Sequence, residues 1–127
     1  MSGYSYPKQL RLLTGRDYNQ VFSHSQFKVS GPLGVFIATP NSLSHPRLGF
    51  VIAKKKVKLA VDRNRIKRVM RDNYRLNQHK LPSVDIVFIA RPGLGTKENL
   101  AITKFCNYAW HKLSEQHKKA LKSDKHD

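Results

Sequence analysis

Apolar and polar positions along this chain switch repeatedly between helical and extended spacing, and the switches mark out its elements. Thr14 opens the first helical pattern. Asp17 is placed to complete a capping box, and Tyr18, Val21 and Phe22 form the apolar face. Gly31-Pro32 breaks that pattern, and LGVFIAT, Leu33 to Thr39, reads as a strand. The prolines of PNSLSHP, residues 40–46, bracket polar turn formers. RLGFVIA, Arg47 to Ala53, then reads as a second strand, expected to pair with the first as an antiparallel hairpin. KKKVKLAV, Lys54 to Val61, is a basic connection to a second helix, for which Asp62 is the expected N-cap. Pro82 closes the loop that follows. SVDIVFIA, Ser83 to Ala90, is nearly all apolar and is expected to be the most buried strand. After Arg91-Pro92-Gly93, Thr96 is the expected cap of a long last helix with Glu98 in its first turn. Ile102, Phe105, Cys106, Ala109, Trp110 and Leu113 form its inward stripe.

The order is therefore helix, two or three strands, helix, strand, helix. It predicts one α/β (α+β) sandwich over residues 1–127, with a mixed, mostly antiparallel sheet of about four strands packed with three helices. A strand, a basic helix and a strand in succession imply one parallel pair within that sheet. Residues 1–13 are expected to be extended and residues 118–127 to form a frayed, charged tail.

The second helix carries the most information. In DRNRIKRVMRDNYR, Asp62 to Arg75, eight of fourteen residues are charged and six are Arg or Lys. At roughly 100° per residue, Ile66, Val69, Met70 and Asn73 fall within an arc of about 100°. Asn64, Lys67, Arg68, Arg71 and Arg75 fall opposite. One face is thus apolar and the other densely cationic, which suits a polyanion with phosphates along a groove or stem.

Charge and composition sharpen this reading. The chain carries 24 Lys and Arg against 8 Asp and Glu, a formal net charge of +16. Self-repulsion on that scale favours an anionic partner. Asp17, Asp62 and Glu98 have expected helix-end roles, and Asp72 lies one turn after Arg68. No carboxylate pair is left over for acid-base or two-metal chemistry. The six histidines form no zinc-ligand spacing, Gly-rich phosphate loops are absent, and Cys106 lies in an apolar pattern. By itself the polypeptide does not read as a catalyst. No apolar run reaches membrane-spanning length and the N-terminus lacks a secretion-signal core, so a cytoplasmic protein is expected. Tyr18, Phe22, Phe36 and Phe50 could be core residues, or some could face a groove and stack on single-stranded bases.

FVIAKKKVKLAV followed by RNRIKRVMRDNYR closely resembles the signature of the bacterial ribonuclease P protein subunit, and DYNQVF and IVFIARP extend the likeness over most of the chain. The resemblance implies an accessory subunit, in a 1:1 complex with a catalytic RNA that removes the 5′ leader of precursor tRNA. Magnesium would be held mainly by the RNA and none by the protein alone. Lys54, Lys55, Arg63, Asn64, Arg65, Lys67, Arg68, Arg71 and Arg75 would face RNA. Tyr18, Phe22 and Phe36 would line a leader cleft between the first helix and the sheet, with Tyr18 standing where the family often has Phe. The family also implies a left-handed βαβ crossover, against the usual hand. The rival from charge and architecture alone is a ribosomal or other structural RNA-binding protein.

Overall fold

The computed structural model describes Arg11 and residues 14–124. The expected extended N-terminus, apart from Arg11, and the last three residues of the expected tail lie outside that range. Helix α1, Gly15–His24, begins with the capping box: the Thr14 hydroxyl accepts from the Asp17 N–H at 3.1 Å, and the Asp17 carboxylate accepts from the Thr14 N–H at 3.2 Å. Strands β1 (Phe27–Ser30), β2 (Gly34–Pro40) and β3 (Arg47–Val51) follow, then α2 (Ala60–Asn77), β4 (Val84–Ala90) and α3 (Asn99–Asp124).

The sheet order is β1-β2-β4-β3, antiparallel except for the parallel β3–β4 pair. The parallel pair matches expectation, but β2 and β3 are not a hairpin. Strand β4 lies between them, because six of its seven residues are buried and a strand buried on both faces needs neighbours on both edges. The hairpin partner of β2 is β1, a four-residue strand with alternating burial. Residues 40–46 instead cross the start of β4, where the Asn41 N–H donates to the Ser83 carbonyl.

The two sheet faces differ. Val29, Phe36, Phe88 and Phe50 are aligned across the four strands and face α2 and α3, forming the main core with Ile66, Met70, Tyr74, Ile102, Cys106 and Leu113. On the other face, Val21 of α1 packs on Val87, flanked by Tyr18, Ile37 and Ile89.

Helix α2 buries Ile66 and Met70 as its pattern predicts, and also Tyr74, whose phenol donates to the Pro46 carbonyl at 2.9 Å. Val69 and Asn73 are only half-buried; Asn73 binds the Trp110 indole N–H and Asn107 on α3.

Three helix ends depart from expectation. Leu59, not Asp62, is the N-cap of α2, and it makes no side-chain cap bond. Buried Val57 draws the preceding loop inward, so the helix starts earlier and Asp62 lies in its first turn, still complementing the dipole. Thr96 ends a 3₁₀ turn, Leu94–Thr96, and its hydroxyl donates to the Gly93 carbonyl. Helix α3 therefore starts at Asn99, and Glu98 precedes it. The tail does not fray at 118. Gln116 donates to the Lys28 carbonyl and accepts from the Lys28 N–H, His117 packs against Phe27, and the helix continues to Asp124.

Cys106 is fully buried, and desolvation of the thiolate pushes its pKa up to about 12. The thiol should therefore stay neutral and shielded at pH 8. A colorimetric thiol reagent is expected to react only after denaturant is added; rapid modification of native protein would contradict this packing.

Candidate nucleic-acid interface

The basic loop and α2 are built to point cations outward. A turn closes the loop, with the Lys56 and Val57 N–H groups donating to the Ala53 carbonyl. Buried Val57 anchors it, leaving Lys54, Lys55 and Lys58 exposed. Arg63 then folds back along the helix entry and donates to the carbonyls of Val57 and Lys58 at 2.9 and 3.0 Å. Its guanidinium ties the incoming segment to the first turn of the helix, although as a donor it caps none of the helix N–H groups.

The nine RNA-facing positions expected from the motif fall into two groups. Asn64 and Arg68 are exposed, and Lys67, Arg71 and Arg75 are half-buried along the same flank. Arg71 donates to the Lys67 carbonyl at 3.2 Å, and Arg75, its side chain 14% exposed, meets Asp72 at 2.9 Å, so both are held along the helix. Among the described residues, no carboxylate lies within ion-pair reach of Lys54, Lys55, Lys67 or Arg68. The second group is structural in geometry. Arg65 turns away from that flank, donating to the Asn99 side chain at 2.7 Å and the Gly95 carbonyl at 3.0 Å, and so ties α2 to the start of α3. Arg63, engaged as described, belongs with it. Sequence pattern alone does not separate these roles, because arginines of the same helix fall in both groups.

The α1 side of the sheet forms a second feature. Asp85, almost fully buried on β4, accepts two bonds from Arg47 of β3 at 2.8 and 2.7 Å and one from Asn41 at 2.9 Å. The bond to Asp85 raises the Arg47 pKa further above its ordinary value, so the cation is permanent. Arg47 also faces Asp17 of α1 at 3.7 Å. At the next residue of α1, the Tyr18 hydroxyl accepts from the Phe50 N–H at 3.1 Å. Gly49 permits that approach, since a Cβ there would lie 2.5 Å from the Tyr18 hydroxyl oxygen.

Held in this way, α1 covers one end of the face, and among the described residues nothing covers the other. Val35 and Ile89 are half-buried there, and Val51 is exposed beside them. Tyr18 and Phe22, four residues apart, share one flank of α1, and Phe22 is 46% exposed. Phe36 does not belong to this cleft. It is 0% exposed and stacks with Phe88, Phe105 and Trp110 on the opposite side of the sheet. In a strand, residue parity decides the face, and on β2 the residue that packs with Tyr18 on the α1 side is the odd-numbered Ile37. Alternation along the strand carried that signal once one residue's face was known. Among the described residues, no group of three or more His, Cys, Asp or Glu side chains could hold a metal ion.

Comparison with known proteins agrees with this architecture. The family profile for Ribonuclease P matches residues 6–114. A ribonuclease P protein component from Chromohalobacter salexigens is 44% identical over 119 residues, spanning 94% of this chain and 93% of that one. Another, from Idiomarina loihiensis, is 46% identical over 112 residues, 88% and 90% of the two chains. The RNase P protein of Staphylococcus aureus superposes with a TM-score of 0.70 at 27% identity, covering 87% of this chain and 94% of that one. That of Thermotoga maritima gives 0.70 at 26%, with coverage of 79% and 94%. The likeness defines an accessory protein subunit of an endoribonuclease that has an RNA partner. The chain belongs to the ribonuclease P protein family, the protein component of the tRNA 5′-processing ribonucleoprotein.

The aromatic positions yield a direct test. Phe36→Ala should cost about 3–5 kcal/mol of stability, as expected for a fully buried ring, whereas exposed Phe22→Ala should stay within about 1 kcal/mol. Urea unfolding measures both; wild-type stability for Phe36→Ala would contradict the assignment of Phe36 to the core.

Proposed function

We propose that the loop Lys54–Lys58 and the outer flank of α2 dock on the catalytic RNA of ribonuclease P. In the same reading, the open face beside α1 grips the 5′ leader of precursor tRNA. The observation that carries the docking reading is the segregation of charge on α2. Lys67 and Arg68 stand outward with no carboxylate of the described residues in reach, while Ile66, Met70 and Tyr74 face the core. An RNA backbone supplies the missing counter-charge, and release of its condensed cations drives association.

The cleft reading rests on Tyr18, Phe22, Val35, Ile89 and Val51, an apolar and aromatic surface suited to unstacked bases. Lys28 stands exposed on the same sheet face, where it can meet the leader backbone. The RNA-facing set under this reading is Lys54, Lys55, Asn64, Lys67, Arg68, Arg71 and Arg75. Arg63 and Arg65 hold the helix in place.

The chain's part in the reaction is binding and orientation. Catalytic RNA and precursor tRNA repel one another as polyanions, and a cationic protein between them lowers that cost and the magnesium concentration required. Magnesium, held mainly by the RNA in this reading, would supply the activated water and stabilise the leaving oxygen. Mature tRNA has no leader, so leader contacts favour substrate over product. One copy of the chain per RNA, acting in the cytoplasm, fits this scheme. Among the described residues no helix is long and apolar enough to cross a membrane.

The test combines cleavage and binding. With a bacterial ribonuclease P RNA and precursor tRNA at low magnesium, the chain should raise cleavage well above that by RNA alone. Lys67→Ala with Arg71→Ala should lower the slope of log affinity against log salt by roughly 1.5. No gain in cleavage, together with an unchanged slope, would overturn the reading. Copurification with ribosomal RNA in its place would favour a ribosomal role.

A further inference from the structure

Helix α3 carries a second cationic face. Its inward side is Ile102, Cys106, Ala109 and Leu113, all buried. At roughly 100° per residue, Lys104, Lys118, Lys119 and Lys122 fall within about 100° of one another on the opposite side, and all four are exposed. With a rise of about 1.5 Å per residue, this row runs for about 27 Å. Glu115 is the acid on that side, and it is already engaged by His111 at 3.5 Å and Lys112 at 3.6 Å. Among the described side chains, which end at Lys122, no carboxylate lies within ion-pair reach of the four lysines. The helix dipole rewards cations only within the last turn, so it accounts for Lys122 and not for the others. Exposed Tyr108 lies among them, with the Lys112 ammonium 5.8 Å from its ring centre.

Three of the four lysines lie beyond residue 114, where the family match ends. The helix is nevertheless held there. The Gln116 amide both donates to and accepts from the backbone of Lys28, occupying the open edge of β1 as another strand would. This clip, with His117 against Phe27, fixes the rotation of the last turns and hence the direction in which the lysines point.

We infer that the outer face of α3, Lys104 through Lys122, is a second phosphate-binding surface that takes a separate segment of the catalytic RNA. The inference rests on the RNA-docking reading of α2. The segment is separate because Asn73 turns toward α3, through Trp110 and Asn107, while Arg68 and Arg71 lie on the other side of α2.

The experiment is a salt titration of full-length chain binding to a bacterial ribonuclease P RNA, with mature tRNA as the comparison ligand. Replacing the four lysines with Gln (Lys104→Gln, Lys118→Gln, Lys119→Gln and Lys122→Gln) should lower the log–log salt slope by about three and weaken binding at least tenfold near physiological salt. Single Lys104→Gln and Lys118→Gln variants, which put little at risk in folding, should each lower the slope by slightly less than one. Replacing the four lysines with Arg should restore both quantities. If the slope stays at the wild-type value while Lys67→Gln with Arg71→Gln lowers it, the α3 inference is overturned and the α2 reading survives. A loss confined to mature tRNA also overturns it. If neither set changes the slope, both readings fail.

Discussion

A carboxylate buried on the central strand constrains much of this structure. Asp85 sits on β4, one of the two inner strands of the sheet, and is 4% exposed. A charge there is tolerable only if it is paired and fully hydrogen-bonded. Arg47 supplies two bonds from the adjacent parallel strand, and Asn41 supplies a third from the loop that crosses the sheet's end. A one-residue slip of β3 would turn Arg47 to the other face and strand Asp85, so the pair fixes the parallel register. That register in turn sets where β3 delivers the basic loop and where α2 begins.

The same guanidinium faces Asp17, and two residues beyond it Gly49 leaves room for the Tyr18 hydroxyl to reach the Phe50 N–H. Helix α1 is therefore seated by a polar knot at one end of the sheet, while among the described residues nothing covers the other end. The opposite sheet face is closed by the aromatic packing of Phe36, Phe88, Phe105 and Trp110 under α2 and α3. One sheet thus separates an apolar cleft on one side from helices that display cations on the other. In the proposed reading, that separation gives the leader and the catalytic RNA different surfaces of one small subunit.

Features with local causes were legible in the residues alone. The capping box, the burial of β4, the parallel pair around a basic helix and the inward stripe of α3 all appear as expected. Long-range features were not. No local pattern says that β4 inserts between β2 and β3, and β1 is too short to stand out. Tyr74 joins the core because its hydroxyl finds the Pro46 carbonyl across the fold, a partner invisible from the helix itself. Arg63 and Arg65 look like further RNA contacts in the motif, yet the geometry commits them to backbone and Asn99. The family likeness implies a cleft position for Phe36, and strand parity places it on the other face. The charged end of α3 reads as a loose tail until Gln116 is seen on the edge of β1.

Hydrogen exchange on Arg47→Met, paired with binding of precursor and mature tRNA to the reconstituted complex, tests the role of the buried pair most directly. The account predicts that protection falls first in α1 and residues 40–46 while the amides of α3 keep theirs. It also predicts that the preference for precursor over mature tRNA shrinks toward none as affinity for the catalytic RNA stays within a few-fold of wild type. Unchanged protection in α1 together with an unchanged precursor preference would contradict it.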